Sequence, residues 1–451
     1  MRLLVLAFAF FVVPTLAHAN GRFPSANQVV FHPTDGQTLA VRTTFGLLLS
    51  HDNGAHFSYV CEGLLGFRSV EDPAIGMFAD GSLLISMFVG QRQGTPDGCA
   101  WPFVDPRLED FVAIDNVIDV STPSRGYVVT SAGGRANGLW RATDNGATWE
   151  PIGPRFDDVL FETVEVTTSD PSRLYMTGAI PPTSTAYRRP FVYRSEDSGE
   201  HWTLFEHALL RDDAQSDRNL YLSAVDPLDE NRLYLRISGE PDDRLMISDD
   251  GGESLREIMR LPSMLGFARS VDGATVWVGS PVAGLYRSED RGEHFTRISD
   301  VAASCLAVRG GELWACGKDA ADGFALGRST DDGEHFEEVM RLVELDSVPE
   351  CPSNSDVSTM CEPALDALRS LLGVDSEDAG VADASAADAA TTMDASRADA
   401  SAQPPGTASC RVAHRSSTPP NALATVLALF VSAFARRRSR DKRPRRQDPD
   451  R

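Results

Sequence analysis

The chain has 451 residues, room for two or three compact domains or one large repeat-built domain, with 42 Lys+Arg against 65 Asp+Glu and a net charge of −23. Nine basic side chains against three acidic ones crowd into Arg436 to Arg451, so without that end and Arg2 the charge is about −30. A body this acidic repels phosphate backbones, which excludes nucleic-acid binding; 42% hydrophobic content, with long apolar runs only at the two ends, excludes collagen, a coiled coil and a polytopic membrane protein.

The first element is MRLLVLAFAFFVVPTLAHA, Met1 to Ala19. One Arg, an apolar run from Leu3 to Val13, a helix-breaking Pro14 and Ala17-His18-Ala19 before Asn20 predict a cleaved secretory signal, the other reading being an uncleaved anchor. No Cys follows the cleavage site, so lipoprotein processing has no support.

From residue 50 onward one octet recurs, with the template Ser, any, Asp, any, Gly, any, any, aromatic. Its anchor residues are Ser50, Asp52, Gly54 and Phe57, then Ala142, Asp144, Gly146 and Trp149, then Ser195, Asp197, Gly199 and Trp202. Three more copies carry Ser248, Asp250, Gly252 and Leu255; Ser288, Asp290, Gly292 and Phe295; and Ser329, Asp331, Gly333 and Phe336. The gap between the first two copies is double the usual spacing, and a degenerate copy, Gly94 to Trp101, fills it with Pro96 where the Asp belongs. Repeats of about 40–50 residues have the length of a four-stranded propeller blade.

The octet reads as a hairpin turn. Asp and Ser oxygens accept nearby backbone N–H groups, Gly takes φ > 0, and the aromatic anchors the turn between blades. Strand-like runs flank the first copy at 28–31, 38–42, 46–49 and 58–60, and tight turns stand at Asp80-Gly81, Asp272-Gly273 and Gly310-Gly311. No long amphipathic helix competes before residue 363. The expectation is an all-β body, residues 20–345, folded as a seven-bladed β-propeller.

These octets resemble the Asp-box, or BNR, repeats of the sialidase-like propeller superfamily. The resemblance implies a structural role for Asp52, Gly54, Asp144, Gly146, Asp197, Gly199, Asp250, Gly252, Asp290, Gly292, Asp331 and Gly333, because the box is a turn shared by hydrolases, sorting receptors and assembly factors alike. A sialidase would further imply a Phe-Arg-Ile-Pro motif, an arginine triad, a Tyr–Glu pair and an acid Asp. The nearest string here, Gly21-Arg22-Phe23-Pro24, has the wrong order, and sialidases have six blades. Glu162 and Glu165 lie on one strand-like run, FETVEV, at a spacing that puts them on opposite faces. His56, His201, His294 and His335 fall inside octets and read as exposed turn residues, and Ser-His-Asp and phosphate-loop signatures are absent.

Seven Cys in a secreted chain predict three disulfides plus Cys410. If Gly310-Gly311 is a two-residue hairpin loop, stepping outward from Arg309 and Glu312 places Cys305 opposite Cys316, within disulfide reach. Cys351 and Cys361 bracket a short Ser/Asn/Asp loop ahead of a helix-like run, Pro363 to Leu372, and are expected to pair; Cys61 and Cys99 pair by elimination. No CxxC or neighbouring His supports zinc instead, so no metal and no cofactor are expected.

Beyond this extension, residues 346–373, the stretch Val374 to Ser409 is rich in Ala, Asp, Ser and Thr and has no aromatic residue, so it reads as a disordered tether with a reach of roughly 30–36 Å. Residues 410–451 then combine Cys410, an apolar run from Leu423 to Ala435 and Arg436-Arg437-Arg438. Counted generously from Asn421, fifteen residues of helix span about 22 Å, short of a hydrocarbon core of about 30 Å. The layout resembles the C-terminal sorting tags of myxobacterial surface proteins, with Ser409 where the family usually has Gly, and implies cleavage near Cys410; a plain tail anchor is the other reading. The functional expectation is a secreted, surface-displayed, monomeric propeller that binds an extracellular glycan or protein ligand and meets a sorting protease at the membrane. A glycoside hydrolase acting on extracellular polysaccharide is the alternative.

Overall fold

A computed structural model describes residues 23–67, 71–109, 111–184, 187–207 and 219–374. The signal segment, the tether and the tag with Cys410 lie outside the described residues.

Among the described residues, twenty-seven strands form seven antiparallel sheets in chain order, six of four strands and one of three. The inner strands are Ala26–Phe31, Ala74–Met77, Ala113–Ile118, Leu160–Val166, Leu220–Val225, Gly266–Arg269 and Cys305–Arg309. Each contacts the inner strand of the next blade, and that of blade 7 contacts that of blade 1, so the ring closes. This is the seven-bladed propeller that the octet spacing predicts. Blade 2 is the three-stranded one. Its fourth strand is reduced to a bridge between Arg92 and Phe103, because Pro102 brings a carbonyl to Gln93 N–H but no donor of its own.

The second strands are largely buried on both faces, as in Leu39–Thr43, Gly126–Thr130 and Val276–Ser280, since each is sandwiched between neighbouring blades. Every octet sits between a blade's third and fourth strands. In the first, Ser50 Oγ accepts the Gly54 N–H at 2.9 Å and Asp52 Oδ1 accepts the His56 N–H at 2.9 Å; Ser195, Ser248, Ser288 and Ser329 repeat the serine bond. In blade 2, Thr95 and Asp97 form the equivalent turn one residue later than the template places it, which bypasses Pro96.

The Gly310-Gly311 turn has positive φ at both residues, and the register runs from Arg309↔Glu312 to Cys305↔Cys316, which are joined by a disulfide. The other two pairings differ from expectation. Cys61 is bonded to Cys361 and Cys99 to Cys351, not Cys61 to Cys99 and Cys351 to Cys361. The reason is the helix Asp356–Leu372, capped by Ser355 and begun seven residues before Pro363. Helix from residue 356 carries Cys361 away from Cys351 and onto the fourth strand of blade 1, Ser58–Cys61.

Candidate functional site

The first strands of four blades share an irregularity that builds the channel wall. In blades 1, 3, 4 and 5 the register slips by one residue, between Ala26 and Gln28, Ala113 and Asp115, Phe161 and Thr163, and Leu222 and Ala224. One inserted residue reverses the face of everything beyond it. Phe161, Val164 and Val166 therefore share the buried face of their strand, while Glu162, Thr163 and Glu165 stand together on the other. The opposite-face expectation for Glu162 and Glu165 fails for this reason.

At three of these slips a polar side chain bridges to the next blade. Gln28 Oε1 accepts the Ile75 N–H at 3.2 Å, Asp115 Oδ2 accepts the Val164 N–H at 2.9 Å, and Thr163 Oγ1 accepts the Leu222 N–H at 3.0 Å. The residue after the slip in blade 5 is Ala224, which has no polar side chain to send across, and the inserted residue, Ser223, lines open space. A cavity of about 230 Å³ opens there, between blade 5 and blades 6, 7 and 1. Its polar lining is Ser223, Tyr221, Arg236, Asn27 and Gln28, its apolar lining includes Met264, Phe267 and Leu306, and no lining residue is acidic. The Arg236 guanidinium lies 4.6 Å from the centre of the Tyr221 ring and donates to Met264 O at 2.8 Å. The Tyr221 hydroxyl accepts from Asn219 at 3.0 Å, leaving its proton to donate.

Three carboxylates cluster on the channel wall, and one of them, Glu162, interacts with Arg236 and Tyr221 of the cavity lining. Burial pushes Glu162 up to about 7, against the pull of Arg188, 3.1 Å away, and of Arg236. Burial likewise lifts Asp115 to about 7, although the N–H groups of Val164 and Asn116 and the Arg42 charge favour its ionised form. Glu165 rises to about 8 through burial and then the neighbouring Asp115, with Arg269 opposing. Arg42 is itself held by Asn27 and by the carbonyls of Asp72 and Pro73. The arrangement suits a ligand bound by hydroxyl, amide and stacked guanidinium groups over a partly protonated floor.

The octet residues lie on the end of the ring away from the starts of the inner strands, where Glu162 and Tyr221 sit. The Asp52, Asp197, Asp290 and Asp331 carboxylates are each bonded to the exposed His four residues on, at 2.6–2.7 Å. For Asp197 that histidine's backbone N–H and ring are the leading causes holding the carboxyl down at about 2. Asp144 and Asp250 use Thr148 and Ser254 in the same way. The octet glycines face the preceding blade: a Cβ on Gly292 would stand 2.9 Å from Tyr234, and one on Gly333 2.8 Å from Leu285. Among the described residues no group of three His, Cys, Asp or Glu is placed to hold a metal ion, and no helix is long and apolar enough to cross a membrane.

Arg42, Asp115, Arg188, Tyr221, Arg236 and Arg269 escaped the motif search. A signal did exist: Asp115 and Tyr221 stand the same number of residues ahead of their blades' octet glycines, Gly146 and Gly252. Aligning these two repeats on those glycines brings Asp115 and Tyr221 into one position.

The class of protein is thus a seven-bladed propeller with a polar channel. No protein-family model matches the chain, and no curated protein does. Among solved structures it is similar to an ancestral GH74 enzyme, at 13% identity and a TM-score of 0.47, covering 66% of this chain and 44% of that one. It is also similar to YCF48 bound to D1 peptide, at 14% identity and a TM-score of 0.42, over 65% of this chain and 91% of the other. A third is the extracellular domain of the putative hybrid two component system BT4673 from B. thetaiotaomicron, at 12% identity and a TM-score of 0.45, over 69% and 39%. The chain spans less than half the length of the first and third. At these identities the likeness is one of fold.

Proposed function

We propose that this chain is a secreted propeller, displayed at the cell surface, that binds an extracellular glycan or protein ligand in the cavity that blade 5 shares with blades 6, 7 and 1. The observation that carries this reading is the slip at Ser223 and Ala224: where the other slipped strands send a polar side chain to the next blade, Ala224 has none to send, and the inserted Ser223 lines a cavity with no acidic residue in its wall. A pair of carboxylates flanking an open space, as glycosidase chemistry needs, is not what lines it. Three disulfides fit an oxidising compartment. The octets fit Asp-box turns, and the route to the surface would run through the signal at 1–19, the tether at 374–409 and the tag at 410–451.

Glycan and peptide arrays on the full chain test it. A ligand captured by the native protein is expected to be lost in Ser223→Trp, which fills the cavity, and weakened at least tenfold in Tyr221→Ala. Capture unchanged in both variants would place binding elsewhere. The second reading, a glycoside hydrolase, draws on the raised carboxyl of Glu162, next to Tyr221 and Arg236 of the same cavity, and on those of neighbouring Asp115 and Glu165. A polysaccharide hydrolysis screen in which native protein is active and Glu162→Gln is not would favour that reading.

A further inference from the structure

All four strands of blade 7 come from residues 305–340 and all four of blade 1 from residues 26–61, so no sheet spans the seam where the ring closes. What crosses the seam is the chain after blade 7. Ser347 pairs in parallel with Ser58 on the outer strand of blade 1, its carbonyl accepting the Tyr59 N–H at 2.9 Å and its hydroxyl donating to Phe57 O at 3.3 Å. Pro349 then packs over Gly98 of blade 2, and Cys351 is bonded to Cys99 there. The chain turns back through the helix Asp356–Leu372, whose Cys361, Leu365 and Leu368 enter the core shared by blades 1 and 7, and Cys361 is bonded to Cys61. Arg369 donates to Leu345 O at 2.8 Å and closes the strap on itself.

The two bonds differ in exposure. Cys61 and Cys361 are buried, at 2% and 0%, whereas Cys99 and Cys351 are half-buried. Access to the attacking thiolate is one of the terms that sets the rate of thiol exchange.

We propose that residues 346–372 are a clasp that closes the ring, with Cys61–Cys361 its sheltered pin and Cys99–Cys351 a reducible latch. Opening the latch releases the strap from blade 2 while the pin still holds the helix to blade 1. The first covalent cross-link that a pull on the chain beyond Gly373 meets is Cys361–Cys61, into blade 1.

The latch is tested on the full native chain by brief treatment with dithiothreitol. Its two thiols become an intramolecular disulfide as the Cys99–Cys351 bond takes up two electrons and two protons and becomes two thiols. Alkylation and peptide mapping are expected to find Cys99 and Cys351 labelled before Cys61 and Cys361; simultaneous or reversed labelling overturns the latch. The clasp is tested by hydrogen exchange on the full-length Cys99→Ser/Cys351→Ser protein. Amides of residues 346–352 and of the seam strands 26–31 and 305–309 are expected to exchange at least tenfold faster, with blade 4, residues 160–206, unchanged. Acceleration spread evenly over all blades, or none at the seam, overturns it. Should that variant fail to fold, exchange on the latch-reduced native protein makes the same comparison.

Discussion

At the scale of single residues, the octet glycines are constrained twice. Each has positive φ, which a β-branched side chain adopts only under strain, and each lies where a Cβ would press into the preceding blade. Gly292→Val would meet Tyr234, and Gly333→Val would meet both Leu285 and Leu313. Backbone strain of about 1–3 kcal/mol adds to overpacking of similar size, so either variant should lower the thermal midpoint by several degrees. Gly310 and Gly311 provide the control: both have positive φ and nothing within 4 Å of a built Cβ, so replacement by Asn, which tolerates that conformation, should leave the melt nearly unchanged. Equal losses at the octet and control glycines would remove blade packing from the explanation. The positive φ was legible in the sequence from the turn pattern, but the second constraint was not, because Tyr234 and Gly292 belong to different blades.

At the scale of an element, the slipped inner strand decides what the channel is. Alternation along FETVEV assigns Glu162 and Glu165 to opposite faces, and one extra residue after Phe161 puts both on the wall with Asp115 from blade 3. The consequence is measurable as a pH dependence. Folded Glu165 and Asp115 hold their protons to about 8 and about 7, while in the unfolded chain such groups release them near pH 4. Between those values the folded state binds more protons, so this contribution to stability is complete below about pH 4, declines as pH rises to about 8, and is constant beyond. Glu165→Gln should therefore flatten the decline in denaturant midpoint between pH 5 and pH 8. A slope identical to that of the native protein would mean that Glu165 ionises normally in the channel. A strand slip leaves no mark in composition or periodicity, since it is set by pairing with the second strand of the blade.

At the scale of the whole molecule, the described body ends at the helix that pins the strap, and under the proposed function its display falls to the remaining segments. Under the sorting-tag reading, Cys410 is the only tag residue with distinctive chemistry. Cys410→Ala should leave full-length protein at the inner membrane, while the native protein loses everything past the cleavage point. Intact-mass measurement of native protein from cells checks this: a C-terminal peptide still attached through Arg451 leaves a plain tail anchor.

The sequence by itself determined the blade count, the octet turns and the Cys305–Cys316 bond, because each is encoded within one repeat or one hairpin, where spacing and turn chemistry act over short range. Only the tertiary structure decided the other two disulfides, separated by 300 and 252 residues, and the convergence of Glu162, Glu165 and Asp115 beside Tyr221 and Arg236. Ring closure brings residues 346–372 back to blades 1 and 2, and the slipped strands turn side chains from successive blades toward one axis. Both are relations between blades, which no pattern within a single repeat contains.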